Sequence, residues 1–219
     1  SSFIVNLPEI NSENKEKLVK KIKDGVGEDN YVELRFETVG PSVSSDLVKK
    51  TSYALILAAS LILFWIAFQF KSLKFGISAT IATIHDALVL IGSFALLGHL
   101  FNAEFDFLIV TAVLTTLSFS VHDTIVVFDR IRETQKKHRL LSTYEVANKA
   151  ISETMVRSLN NSFTILFMLV ALILLGGSTV KWFAAALLIG TVSGTYSSPF
   201  VAIPILVTID QIRKKRNKS

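Results

Sequence analysis

The stretch VHDTIVVFDRIRET, Val121 to Thr134, puts an acid where acids rarely stand. An apolar run from Phe107 to Phe128 meets a basic cluster that opens at Arg130, and Asp123 lies inside the run, nearly two helical turns before that arginine. At ~1.5 Å of rise per residue, its carboxylate carbon falls roughly 10 Å below the polar boundary. An acid at that depth costs about 2.5 to 3.5 kcal/mol on insertion scales, and is seldom there without a partner or a task. Two uses are open. The carboxylate can be hydrogen-bonded between helices to fix their packing, or it can take up and release a proton or an ion. Its depth favours the second.

Other apolar runs carry similar residues. His85 and Asp86 stand near the middle of Phe75–Leu97, among Ser78, Thr83 and Ser93. Along the Asp123 run, Thr116, Ser120 and Thr124 fall close to the same helical stripe as Asp123, and Thr115, Ser118 and His122 form the adjoining one. Arg157, Asn161 and Thr164 share a face at i, i+4 and i+7. Singly these are weak signals: Arg157 could snorkel to the interface, and His85 could bond a backbone carbonyl. Jointly they describe a polar pathway for a proton or ion through a helical bundle. A metal is the competing use of His85, Asp86, His122 and Asp123. The adjacent His-Asp pairs lack the i, i+4 spacing that sets two ligands on one helical face, which disfavours it. No cofactor is expected.

The elements that would hold these residues follow from composition. Half of the 219 residues are hydrophobic, 16 of them Phe, and the mean hydropathy is +0.48. That excess points to several membrane spans. Five runs approach or exceed the ~20 residues a bilayer requires: 51–70, 75–97, 107–128, 158–176 and 182–209. Lys71 and Lys74 follow the first, a dense basic cluster follows the third at Arg130, Arg132, Lys136, Lys137 and Arg139, and Arg213, Lys214, Lys215, Arg216 and Lys218 form a tail over 213–219. The second connection has Glu104 and Asp106 and no base; the fourth has a single Lys. Basic clusters on one side make that side cytoplasmic and put the N-terminal region outside. The same placement explains the net charge of +5 without nucleic acid. The absence of cysteine excludes disulfides, thiolate catalysis and Cys-ligated metal.

Residues 1–46 read differently. Phe3 to Leu7 predicts a short strand. Asn11 or Ser12 would cap a helix with Leu18, Val19, Ile22 and Val26 on one face, and Tyr31 to Thr38 alternates as a half-buried strand. The expected fold is therefore an all-α polytopic membrane helical bundle with a small α+β extracytoplasmic module at the N-terminus. Gly40-Pro41 turns the chain into the membrane, with Ser44 or Ser45 as N-cap. Ser142-Thr143-Tyr144-Glu145 fits a capping box, and Ala147, Ala150, Ile151 and Thr154 then predict a separate cytoplasmic amphipathic helix over 142–156, lying on the membrane surface. Gly190 and Gly194 form a GxxxG, a close-approach surface for helix packing, expected to face a partner bundle. Pro199 and Pro204 are expected to kink the helix beyond it.

HDTIVVFDRIRET is similar to the signature of the SecF branch of the SecD/SecF protein-export family, approximately NDTIVVFDRIREN, with His122 and Thr134 in place of Asn. VGPSVSSDL, the His85-Asp86 pair, RSLNNS from Arg157 and GTYSSPF resemble family motifs as well, over about Val39 to Ile209. The resemblance implies a membrane export subunit of the RND superfamily, not an enzyme, in a bacterial cell (inner/plasma) membrane. It would pair with SecD beside a SecY-type translocon and use the proton-motive force to draw unfolded preproteins across. It implies Asp123 as the titrating carboxylate and Arg157 as its charge partner, with His85, Asp86 and His122 as second-tier candidates. It also implies a sixth span and the rest of an external domain upstream. An RND-type exporter of lipids or small hydrophobic molecules, and a scaffold in which the polar set is only helix glue, are the other classes compatible with the residues.

Overall fold

The computed structural model describes residues 12–27, 41–101, 103, 106–138 and 140–216. Among them the regular elements are all helical: α1 (Ser12–Val26), α2 (Pro41–Gln69), α3 (Leu73–Phe101), α4 (Phe107–Lys137), α5 (Thr143–Leu175), α6 (Ser178–Ser197), a π-helical turn (Ser198–Ala202) and α7 (Ile203–Arg216). The chain divides into two compact units, Ser1–Ser52 and Tyr53–Ser219. In the first, α1 confirms the expected helix, with Leu18, Val19 and Ile22 half-buried and Glu16, Lys17, Lys20 and Lys21 exposed. The strands expected at 3–7 and 31–38 lie outside the described residues.

Among the described residues, five helices are long and apolar enough to cross a membrane: Val48–Gln69, Leu73–Phe101, Phe107–Lys137, Thr143–Leu175 and Val180–Arg216. Each overlaps one of the five expected spans. The last is the central one, since half of its apolar window is buried against 11% for α2 and for α5. Lipid is as apolar as leucine, so these helices associate through close packing and hydrogen bonds rather than through escape from water.

Three local expectations need correction or refinement. The helix that enters the membrane opens at Pro41, upstream of Ser44 and Ser45. Proline suits a first helical position, because its φ is already helical and its missing N–H had no partner to lose. The capping box at Ser142 is present, with the Ser142 hydroxyl accepting from the Glu145 N–H and the Glu145 carboxylate from the Ser142 N–H. It does not start a separate surface helix: α5 runs unbroken from Thr143 to Leu175. No Gly or Pro interrupts it between Glu153 and Ser162, and its first turns bury Val146, Ala147 and Ala150 in the main core instead of laying them on lipid. Beyond Ser197 the helix widens to the π turn, with Pro199 buried at its start, and Pro204 stands in the first turn of α7. A proline that withholds an N–H is a recognised cause of such a break.

The core has two apolar layers. Toward the basic end, Ile66, Phe70, Phe75, Ala79, Val127, Phe128, Ile131, Val146, Ala150, Ile203 and Leu206 pack together. Phe75 and Phe128 meet edge-on at 5.0 Å between ring centroids, and Phe70 stacks on Phe75 at 5.0 Å. Toward the other end lie Leu90, Phe94, Ile109, Ala112, Val113 and Ala186. Between these layers α3, α4 and α6 place the polar residues Asp86, Ser120, Ser193 and Ser197. The polar site is therefore a slice enclosed above and below by hydrocarbon.

Candidate functional site: an enclosed acid and a cavity-lining acid

Asp86 is the centre of that slice. It is 3% exposed, on α3, and hydroxyls from two other helices converge on it. Ser193 donates to Oδ1 at 2.7 Å and Ser197 to Oδ2 at 2.6 Å, both from α6. Ser120 donates to Oδ2 from α4. The His85 ring, half-buried, brings Nδ1 to 3.1 Å from Oδ1. Serine spacing makes this fit: Ser193 and Ser197 are one helical turn apart and so reach the same carboxylate from one face. Ser198 extends the set, with its hydroxyl 2.9 Å from that of Thr124. In hydrocarbon an unmet carboxylate would be costly, and this one meets a donor on every side.

Helix approach makes the slice this tight. A methyl group on Gly190 would stand 2.3 Å from Thr116 Cγ2, and one on Gly194 would stand 3.0 Å from Ser120 Cβ. Both glycines thus pack α6 on α4 inside this chain. The GxxxG is a helix-packing surface, as its sequence indicates, but the expectation that it faces a partner bundle is overturned: its neighbour is α4.

Asp123 lies in a different environment. It is half-buried on α4 and lines a small cavity with Phe119, Ser120, His122, Asn161, Ser162, Thr191, Gly194 and Thr195. The cavity has about 20 Å³ for the centre of a water-sized sphere, enough for one molecule. Ser158 on α5 and the His122 ring are its polar neighbours. Ser120 belongs to both sites: its hydroxyl donates to Asp86, and it forms part of the wall of the Asp123 cavity. One hydroxyl therefore separates the two acids.

Of the residues singled out from sequence, His85 and Asp86 come together, and His122 and Asp123 share the cavity with Asn161. Arg157 is exposed and makes no ion pair with Asp123; it stands one residue before Ser158, a neighbour of that carboxylate. Sequence reasoning missed the hydrogen bonds of Ser193 and Ser197. It also missed Asp210, which is 7% exposed and binds Lys74 at 2.5 Å, Thr143 at 2.5 Å and Lys214 at 3.0 Å, clasping α3, α5 and α7 at the basic end. The available signal was an acid standing immediately before a basic tail.

Comparison with known proteins agrees with the geometry. The family described as "Protein export membrane protein SecD/SecF, C-terminal" matches residues 18–212. The chain is 49% identical over 210 residues to the protein translocase subunit SecF of Thermobaculum terrenum, covering 93% of this chain and 66% of that relative. It is 36% identical over 217 residues to the SecDF of Thermus thermophilus, covering 99% of this chain and 28% of that one. A crystal structure of SecDF in a form termed super-membrane-facing superposes with a TM-score of 0.74 at 32% identity, over 97% of this chain and 28% of that chain. The chain thus spans about two thirds of the length of the SecF relative and little more than a quarter of the fused ones.

Proposed function

The chain belongs to the SecD/SecF protein-export membrane protein family, and from that premise we propose that it is the membrane part of a SecF-type transport subunit, not an enzyme. It works with SecD beside a SecY-type translocon in the bacterial inner or plasma membrane. The proton-motive force, drawn on through its intramembrane acids, helps to move unfolded preproteins outward. The basic ends of the spans face the cytoplasm, as does the C-terminus. Residues 1–46 belong to an extracytoplasmic module.

The observation that carries this reading is the unequal treatment of the two acids. Asp86 is enclosed by fixed donors, whereas Asp123 borders a cavity with room for water and has Ser158 and His122 beside it. A group that exchanges protons needs a route for them, so Asp123 is the titrating carboxylate and Asp86 the anchor of the bundle around it. Arg157, next to Ser158 on α5, is its charge partner in the other half of the cycle. Bringing it to Asp123 in place of Ser158 requires a shift of α5. Each proton driven inward by 100 mV supplies about 2.3 kcal/mol, which is of the order of such an exchange.

Asp123→Asn keeps the shape and removes the titration. In inverted membrane vesicles, the variant should insert and bind SecD as the parent does, yet lose the part of preprotein translocation that responds to an imposed proton gradient. Asp123→Glu should keep some of it. An undiminished response in Asp123→Asn removes Asp123 from the relay.

A further inference from the structure

The basic end of the bundle holds a recess that the acid sites do not use. Trp65, Ala67, Phe68 and Gln69 at the end of α2, Lys71 in the following turn and Arg132 on α4 line an open groove of about 530 Å³. That is the size of an ordinary small-ligand site. Its wall is aromatic and apolar and its rim is cationic. Trp65 and Phe68 are 56% and 69% exposed on the face of α2 that this bundle leaves uncovered. Tryptophan near the end of a span marks the level of the headgroups.

The two rim cations differ from their neighbours. Arg130 binds Glu133 and Glu153, Lys137 binds Glu133, and Lys74 and Lys214 both bind Asp210. Among the described residues, the side chains of Lys71 and Arg132 have no acidic partner in these pairs. Lys71 also holds φ at 49°, a left-handed conformation where Gly or Asn is the ordinary occupant. Two unmatched positive charges thus face one recess whose other wall is lipid-like.

We propose that this groove binds an anionic phospholipid, with its phosphate headgroup between Lys71 and Arg132 and its chains along Trp65 and Phe68. A free phosphate would gain nothing from the aromatic wall, and a zwitterionic lipid would bring no net charge to the rim. The inference is independent of the export reading and is tested without an export assay.

The test uses the protein in nanodiscs of phosphatidylcholine containing a small fraction of phosphatidylglycerol, with retained lipid counted by native mass spectrometry. Lys71→Asn removes the charge while tolerating the positive φ, and Arg132→Gln removes the other. Each basic residue near a membrane surface accounts for about a fivefold change in binding, so the double variant should retain phosphatidylglycerol roughly 25-fold less well. Retained phosphatidylcholine should not change. Lys136→Gln, an exposed cation on the same helix, should behave as the parent does. Equal retention by parent and double variant overturns the proposal, as does an equal loss in Lys136→Gln. Competition by millimolar inorganic phosphate would assign the site to a soluble anion, and loss of the lipid on adding SecD would assign the groove to that subunit. If Arg132→Gln fails to fold, Lys71→Asn alone decides, through its fivefold loss or its absence.

Discussion

Replacing Gly190 by alanine tests how closely α6 approaches α4. The new methyl group would stand 2.3 Å from Thr116 Cγ2, 2.6 Å from Thr116 Cβ and 2.8 Å from Thr116 Oγ1. Restoring ordinary van der Waals contact demands a retreat of about 1 Å. Thr116 cannot swing away cheaply, because it is buried and its hydroxyl is bonded to the Val113 carbonyl at 2.9 Å. The helices must part instead. The same separation would strain the bonds through which Asp86, on α3, ties the two helices together: Ser193 and Ser197 reach it at 2.7 and 2.6 Å from α6, and Ser120 reaches it from α4. An added ~1 Å at any one of them would take it past hydrogen-bonding distance. Overpacking alone costs typically 1–3 kcal/mol, and a weakened hydrogen bond adds about 1 more, so roughly 2–4 kcal/mol is expected.

The assay is thermal unfolding in mild detergent, run on Gly190→Ala, on Thr116→Gly and on the double variant. Thr116→Gly removes all three clashing atoms, so the double variant should melt above Gly190→Ala despite carrying one more change. A melting temperature for Gly190→Ala equal to the parent's would refute the close approach. Weakened SecD association with unchanged melting would return the GxxxG to an intersubunit role.

Two further outcomes follow from the basic end and from the charge pattern. Asp210→Asn should lower thermal stability by about 2–4 kcal/mol, because it leaves Lys74, with only 16% of its side chain exposed, without its counter-charge; an unchanged melt would show the clasp to be dispensable. A cysteine at Asn102 should react with an impermeant thiol reagent added to intact cells and one at Gln135 should not, and the reverse pattern would invert the proposed orientation.

The spans were legible because each needs only an apolar run of sufficient length, and the basic clusters between them follow one simple rule. His85, Asp86, His122 and Asp123 were legible for the same reason: polar groups stand out against hydrocarbon. Which acid is enclosed was not legible, because the donors to Asp86 lie 34, 107 and 111 residues away along the chain. Local spacing shows that Ser193 and Ser197 share a face but not what the face meets. Gly190 and Gly194 have the same limitation. The motif specifies a close approach, and only the packing of three helices identifies α4 as the neighbour. The start of α5 was read correctly from its capping box. Its continuity was missed because Glu153 and Arg157 interrupt the apolar pattern, and charge at a membrane boundary looks like the end of one element although no residue there breaks a helix.

Asp86 and Asp123 should therefore respond in opposite ways to the same substitution. Asp86→Asn offers one acceptor oxygen where the carboxylate offered two, against donors at Ser120, Ser193 and Ser197. At least one hydroxyl must turn to its own helix, as Ser197 already partly does toward the Gly194 carbonyl at 3.3 Å. Serine hydroxyls also accept, so the new amide N–H groups are met only where those side chains turn away from donating. A buried polar group left unmet costs about 1–3 kcal/mol, so Asp86→Asn should melt measurably lower. Asp123→Asn disturbs Ser158 and a cavity that can hold water, which can satisfy an amide as well as a carboxylate. It should melt within about 0.5 kcal/mol of the parent, in the range of changes away from tight packing. Export in vesicles should show the inverse pattern, with the gradient response lost in Asp123→Asn and reduced in Asp86→Asn only as far as folded protein is lost. A stable Asp86→Asn without a gradient response, beside a responsive Asp123→Asn, would exchange the two roles and move the relay to the enclosed acid.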